Sequence, residues 1–259
     1  MTVSQQESDR THLAPVAVVT GAGSGIGRAV TDAFLGAGFR VALAGRNRDR
    51  LVTAAAGREG ALPIAADVSV PADVDRLFSE TVARWGRVDV LFNNAGVLGP
   101  IGMVDEIDLT GWEEAIAVNV TGAMLCAAAA VRIMKQQSPQ GGRIINNGSI
   151  SAHRPRPLSV AYATTKHAMT GLTRSIALDG RAYGITCGQI DIGNTATDMT
   201  SPLAESAGAL QPDGTRRLEP TFPVGDAARA VLLMAQMPPS ATIGSLVITA
   251  TGMPYDGRG

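Results

Sequence analysis

Tyr162 and Lys166 stand four residues apart in Tyr162-Ala163-Thr164-Thr165-Lys166, within a segment from Ser159 to Leu178 that is rich in helix formers. On a helix, positions i and i+4 lie one above the other with Cβ atoms about 5–6 Å apart. A free phenol is a poor acid or base at neutral pH, and a neighbouring ammonium favours its phenolate. The spacing therefore suits proton transfer. Of the 22 basic residues only Lys135 and Lys166 are lysines. The cation beside Tyr162 is thus the compact kind that donates to several partners, where a guanidinium is biased towards forked contacts. Tyr and Lys also fall four apart by chance on many helices, so the pair needs company.

The elements that must position such a pair are legible upstream. Val16-Ala17-Val18-Val19 is a continuous apolar run, as in a strand buried on both faces of a parallel sheet. Thr20-Gly21-Ala22-Gly23-Ser24-Gly25-Ile26-Gly27 follows at once and turns into a helix over Arg28 to Gly38. Strand, glycine turn and helix N-terminus together make an anion site, because main-chain N–H groups point outwards and missing side chains let a pyrophosphate approach. The spacing Gly21, Gly25, Gly27 is G-x-x-x-G-x-G, not the G-x-G-x-x-G fingerprint. A plain tight turn is the alternative.

A second apolar run, Phe39 to Ala44, ends in Gly45-Arg46-Asn47-Arg48, where a dinucleotide fold presents its second strand to the adenosine ribose. An acidic residue there would select NAD; Gly45 leaves space and Arg46 supplies a fork suited to a 2′-phosphate, which favours NADP with NAD possible. The other reading makes Arg46, Arg48 and Arg50 a solvated rim. Strand and helix then alternate through 61–66, 71–85, 88–92 and 109–137, the rhythm of a parallel sheet with helices on both faces. Asp67-Val68 closes the third strand, the carboxylate serving either an adenine amino group or the cap of a helix starting near Pro71. Asn93-Asn94-Ala95-Gly96 closes the fourth and leaves room for a ribose, or is a plain turn. Asn119, between Val118 and Val120, marks a helix kink or bound water, or is a satisfied core amide. The run Gly142 to Ser149 reads as the fifth strand, with Ser149 at the carboxyl edge where open α/β sheets bind ligands. Ile185 to Ile190 is the sixth strand, followed by Gly193 and Thr195. The polar, Gly- and Pro-punctuated 194–222 stretch suits a substrate lid, and Val224 to Met237 and Thr242 to Thr249 read as a final helix and strand.

Bulk properties narrow the classes of function. At 259 residues with 45% hydrophobic composition, one domain over 1–259 can bury a core. A net charge of −1 offers no basic field for nucleic acid or an anionic membrane, so small molecules are the expected partners. Cys126 and Cys187 have no metal-ligand or redox spacing and read as small buried hydrophobes. Met1 to Ala14 is polar, and the longest apolar run, Ala123 to Val131, is short for a bilayer. These features lead to the expectation of a cytoplasmic protein without a membrane segment or metal.

Taken together, the chain from about Pro15 to Met253 resembles a single-domain short-chain dehydrogenase/reductase. The resemblance rests on Thr20-Gly21-x-x-x-Gly25-Ile26-Gly27, Asn93-Asn94-Ala95-Gly96, Asn119, Ser149 and Tyr162-x-x-x-Lys166 in the family's order. It implies a Rossmann-type, doubly wound α/β fold with about seven parallel strands, and transfer of hydride between NADP(H) and a carbonyl or secondary alcohol. It also implies that Tyr162 is the acid/base, Ser149 holds the substrate oxygen, Lys166 binds the nicotinamide ribose and Asn119 supports a proton-relay water. The implied cofactor contacts are Gly21, Ser24, Gly25, Ile26, Gly27, Arg46, Asp67, Val68, Asn94, Ala95, Gly96, Tyr162, Lys166, Gly193 and Thr195. A homo-oligomer, dimer or tetramer, is implied too, although the tail from Ala250 lacks the family's usual Asp-Gly-Gly. Ile192-Gly193 likewise stands where the family has Pro-Gly. The Ala-rich run Gly122 to Ala130 could pack between subunits or within one. The alternatives are an NAD-linked dehydrogenase of a sugar, polyol or steroid, and a nucleotide-binding sensor without catalysis.

Overall fold

The computed structural model describes residues 14–196 and 208–255. Each apolar run expected as a strand is one: β1 (Val16–Thr20), β2 (Arg40–Gly45), β3 (Ala61–Ala65), β4 (Val90–Asn93), β5 (Gly142–Asn147) and β6 (Ile185–Ile192). A short antiparallel pair, β7 (Ala209–Leu210) and β8 (Arg216–Arg217), precedes β9 (Ser245–Ile248). Seven strands form a parallel sheet in the order β3-β2-β1-β4-β5-β6-β9. The chain builds outwards from β1 to β3, then returns to the other side of β1 with β4. Carboxyl ends of β1 and β4 therefore flank a switch point, which opens a crevice between neighbouring crossovers.

Helices α1 (Gly25–Gly36), α2 (Arg48–Ala55), α3 (Pro71–Trp85), α4 (Leu109–Ile116), α5 (Ala123–Gln136), α6 (Val160–Gly180) and α7 (Val224–Gln236) complete the fold. Two-residue periodicity divides the strands between two cores. Ala17, Val19, Val41, Leu43 and Phe92 pack with Val30 and Phe34 of α1 and Val231 and Met234 of α7. Val18, Ala42, Leu91 and Ile144 pack on the other face with Leu77 and Phe78 of α3 and Cys126, Ala130 and Met134 of α5. Burying a side chain the size of Phe34 stabilises the fold by roughly 1.5–3 kcal/mol. Helix α3 illustrates the local logic. Pro71 starts it, Val74, Leu77, Phe78 and Thr81 make its buried stripe, and Gly86 stops it at φ 81°, donating to Val82 O.

Three local features add to the sequence reading. Helix α2 is one: Asn47 caps it by accepting from Arg50 N at 3.0 Å, and Leu51, Ala54 and Ala55 are buried beneath an arginine-rich surface. A π turn over Ala117–Gly122 joins α4 to α5 and holds Asn119, so the irregularity expected there is real. The third lies in the expected lid: residues 197–207, with Met199 and Leu203, are outside the described residues, but its second limb carries the β7–β8 pair and buries Ala209, Gln211 and Phe222. By length and composition the helical stretch Leu109–Gln136 could cross a membrane, and Ala115, Val118, Cys126, Ala127, Ala130 and Met134 within it are buried in the protein.

Candidate active site

The glycine turn forms as its residue types require. Gly21 and Gly25 have φ of +65° and +50°, the left-handed region that side chains disfavour. A Cβ on Gly27 would lie 2.2 Å from Gly21 O, so Gly27 is the packing glycine behind the turn and not a wall of the cleft. Ser24 precedes α1 in extended conformation without capping it through its side chain, and the first turn has no acidic residue. Its N–H groups and partial positive charge are thus left for an anion.

Thr20 ties this turn to the end of β4. Its Oγ1 accepts from Asn94 N at 2.9 Å and Ala95 N at 3.0 Å, while Asn94 Nδ2 donates to Thr20 O at 2.8 Å. Asn147, at the end of β5, donates through Nδ2 to Asn94 Oδ1 at 2.9 Å. The Asn94 side chain is therefore a staple across three strand ends, and Asn94, Ala95 and Gly96 face the crevice in a fixed loop. Asn147 Oδ1 is buried without a hydrogen-bond partner. An acceptor in that state calls for a donor supplied from outside the protein.

On α6, Lys166 is buried and its Nζ donates to Asn147 O at 2.7 Å, 5.5 Å from the centre of the Tyr162 ring. Tyr162 is partly buried in the first turn of the helix. Ser149 lies two residues beyond β5 as the N-cap of a 3-10 turn, Ile150–Ala152, and its Oγ accepts from Ser151 N at 3.1 Å. That bond occupies the serine oxygen as acceptor and leaves its proton to be donated; Ser149 itself is buried behind Gly148 and is not among the residues that line the cleft. Between Ser149 and Tyr162 runs a loop in which Leu158 has φ of +62° and accepts from Gly102 N at 3.1 Å. A branched side chain there stores about 1–3 kcal/mol of strain, a common accompaniment of binding loops.

Asn119 lies in the π turn and is also a satisfied amide. Its Oδ1 accepts from Val97 N at 2.8 Å, and its Nδ2 donates to Val97 O at 2.8 Å and Thr165 Oγ1 at 3.0 Å. Both amide protons are taken, so the side chain clips the loop after β4 to the helix carrying Tyr162 and has none to give a water. Asp67 also corrects an expectation. Val70, not Asp67, is the N-cap of α3, and Asp67 Oδ1 instead closes its own turn by accepting from Ser69 N at 2.9 Å and Ser69 Oγ at 2.6 Å.

Most of the expected cofactor positions meet in one crevice. Gly21, Ser24, Gly25, Ile26, Asn94, Ala95, Gly96, Tyr162, Lys166, Gly193 and Thr195 line a cleft of about 210 Å³. Arg46, Asp67 and Val68 line an adjoining one of about 220 Å³ that shares Gly21, Ser24, Ala95 and Gly96. Arg46 is exposed, 3.8 Å from Glu114 Oε1, a surface pair that constrains it little. The open helix terminus, the glycine cradle and the orphaned Asn147 acceptor fit a dinucleotide lying from Arg46 to Lys166. Ile192 takes part in the β6–β9 ladder opposite Ile248, and Gly193 N donates to Ile248 O at 2.9 Å, so strand pairing holds this corner where the family has proline.

Two residues of the site went unread in the sequence. Asn147 carries no local signal beyond being polar. Asp191 has one: it is a carboxylate between Ile190 and Ile192 in an apolar strand.

The family model described as short chain dehydrogenase matches residues 15–208. A 3beta-hydroxysteroid dehydrogenase of Mediterraneibacter gnavus is 38% identical over 190 residues, 71% of this chain and 67% of the relative. A short chain dehydrogenase/reductase of Aspergillus oryzae is 31% identical over 92% of this chain and 94% of its own length. The crystal structure of a 3-ketoacyl-(acyl-carrier-protein) reductase from Brucella melitensis complexed with NADH superposes with a TM-score of 0.81 at 26% identity, covering 91% of this chain and 97% of that one. With the seven-stranded parallel sheet and its crevice, these matches place the chain in the short chain dehydrogenase/reductase family, as an oxidoreductase acting between CH–OH and C=O groups.

Proposed function

We propose that the protein reduces a carbonyl with NADPH, reversibly as an alcohol dehydrogenase, with Tyr162 as acid/base. The observation that carries this reading is Lys166 Nζ, anchored 2.7 Å from Asn147 O and 5.5 Å from the Tyr162 ring in the cleft beside the glycine turn. A bound reduced nicotinamide supplies hydride to the carbonyl carbon. Ser149 donates from Oγ to the substrate oxygen, and Tyr162 delivers the proton as negative charge grows there. Lys166 holds the ribose hydroxyls and stabilises the phenolate left behind. Asn119 keeps the π turn registered against Tyr162's helix through Thr165.

Gly45 and Arg46 support a 2′-phosphate on the adenosine ribose. Exposed Ile101, Met103, Val104 and Leu109 support a subunit contact, whereas the buried Ala123, Ala127, Ala129 and Ala130 of the Ala-rich run pack within their own chain. A second reading is an NAD-linked steroid dehydrogenase, its substrate class supported by the 3beta-hydroxysteroid dehydrogenase relative and its cofactor by the NADH complex of the reductase. Cofactor titration of wild type and Arg46→Ala separates the two: the variant should lose far more affinity for NADPH than for NADH, and equal losses refute the 2′-phosphate role. Tyr162→Phe tests the chemistry. Turnover should collapse by a factor of about 100 or more with NADPH binding intact, and near-native turnover sinks the mechanism.

A further inference from the structure

Asp191 is the acidic residue of β6, and its side chain is 1% exposed. It accepts three hydrogen bonds. Ser149 N donates to Oδ1 at 3.0 Å, Gln189 Nε2 donates to the same oxygen at 2.7 Å, and His153 Nε2 lies 2.9 Å from Oδ2. A Cβ on Gly148 would fall 2.0 Å from Oδ1, so the carboxylate occupies space that a glycine leaves free. Among the described residues no lysine or arginine pairs with it. A carboxylate this deeply buried must be matched by donors, and the His153 tautomer with its proton on Nε2 supplies the third.

The two oxygens grip opposite ends of one short element. Ser149 opens the 3-10 turn Ile150–Ala152 and His153 ends it, while Ala152 N donates to Ser149 O at 2.8 Å and His153 N to Ile150 O at 3.0 Å. Hydrogen bonds along the turn carry any shift at His153 back to Ser149. We propose that Asp191 and His153 are positioning residues for Ser149, the carboxylate clamping both ends of the turn that aims the serine hydroxyl at the substrate oxygen. This rests on the reading of Ser149 as the donor to that oxygen.

The test is steady-state kinetics of the full chain with NADPH and the best substrate from a panel of ketoacyl thioesters, quinones, steroids and simple ketones. His153 is 40% exposed, so replacing it opens no cavity in the core. His153→Ala should lower kcat about tenfold or more, as misplacement of a reacting group does, with substrate KM and NADPH affinity within about twofold. His153→Gln should recover most of the loss, because an amide N–H reaches the same oxygen. Asp191→Asn keeps an acceptor for Ser149 N and Gln189 Nε2 and turns an amide donor only towards His153 Nε2, so it should lose no more than His153→Ala. Wild-type kcat in His153→Ala, or a loss that His153→Gln does not recover, overturns the inference. Ser149→Ala distinguishes the underlying reading: if that variant turns over normally the role of Ser149 fails, whereas a dead Ser149→Ala beside a fully active His153→Ala removes the clamp alone.

Discussion

The ammonium of Lys166 donates to the main-chain oxygen of Asn147 at 2.7 Å and lies 5.5 Å from the centre of the Tyr162 ring. Spacing on α6 brings lysine and tyrosine to one side of the helix, but the end of β5 decides where the charge sits. A point charge with rotatable donors fits this place, and a planar, forked guanidinium does not. Lys166→Met should therefore lower kcat/KM by a factor of about 100 or more and weaken NADPH binding, because the same ammonium serves phenol and ribose. Lys166→Arg should recover less than a tenth of the wild-type value. Initial rates and fluorescence titration of NADPH check both; full activity in Lys166→Arg would show that charge without shape suffices.

Thr20 makes a second, sharper case. One buried hydroxyl oxygen accepts from Asn94 N and Ala95 N, joining β1 to the loop after β4 beneath the cofactor cleft. Thr20→Val keeps the volume and leaves two N–H groups unmatched, which costs about 2 kcal/mol. Thermal unfolding should fall on the order of 5 °C, and NADPH affinity should fall with it, because Ala95 and Gly96 lose their support. An unchanged melting temperature would mean that water replaces the hydroxyl.

Legibility in the sequence followed the range of the interaction. Strand runs, the glycine turn and the Tyr162–Lys166 spacing are local, set by apolar pattern, positive φ and helical period, and each could be read directly. Asn119 announced an irregular helix through its awkward place between two valines, but its partners Val97 and Thr165 come from other elements, so amide and water roles could not be told apart. Helix α2 was hidden because Arg48, Asp49 and Arg50 obscure a stripe of only Leu51, Ala54 and Ala55. The pairing of Asp191 with Ser149 and His153 depends on β5 lying beside β6, a fact of topology, although a carboxylate between two isoleucines was a clue that it would be held by something specific.

Ala56 offers a stability test away from the site. It follows α2 at φ 49°, exposed, donating to Val52 O, in the left-handed position that glycine fills without strain. A side chain there costs about 1–2 kcal/mol, part of which glycine's freedom in the unfolded chain returns. Ala56→Gly should stabilise by about 0.5–1 kcal/mol, seen as a higher denaturant midpoint with unchanged slope and unchanged kinetics. A lower midpoint would mean that the cap is under no strain.

The two thiols supply a prediction with a pH sign. Burial pushes Cys126 up to about 12, and burial also pushes Cys187 up to about 12 against a smaller opposing bond with Thr173. Both remain protonated in the folded protein well above the pH at which the unfolded chain ionises them. Folded-state values raised in this way contribute stability that is fully present below the ordinary thiol value of 9.0 and is lost as pH rises through about 12. Two consequences can be measured. At pH 8 the native protein should leave both thiols unlabelled by iodoacetamide over hours, and denaturant should make both react within minutes, since the thiolate is the nucleophile. Between pH 9 and 11 the denaturant midpoint should fall, and Cys126→Ala with Cys187→Ala should flatten part of that fall while lowering the midpoint at pH 7 by leaving small cavities. Rapid labelling of either thiol in the native protein at pH 8 would show that the cores around α5 and β6 open far more often than their burial implies.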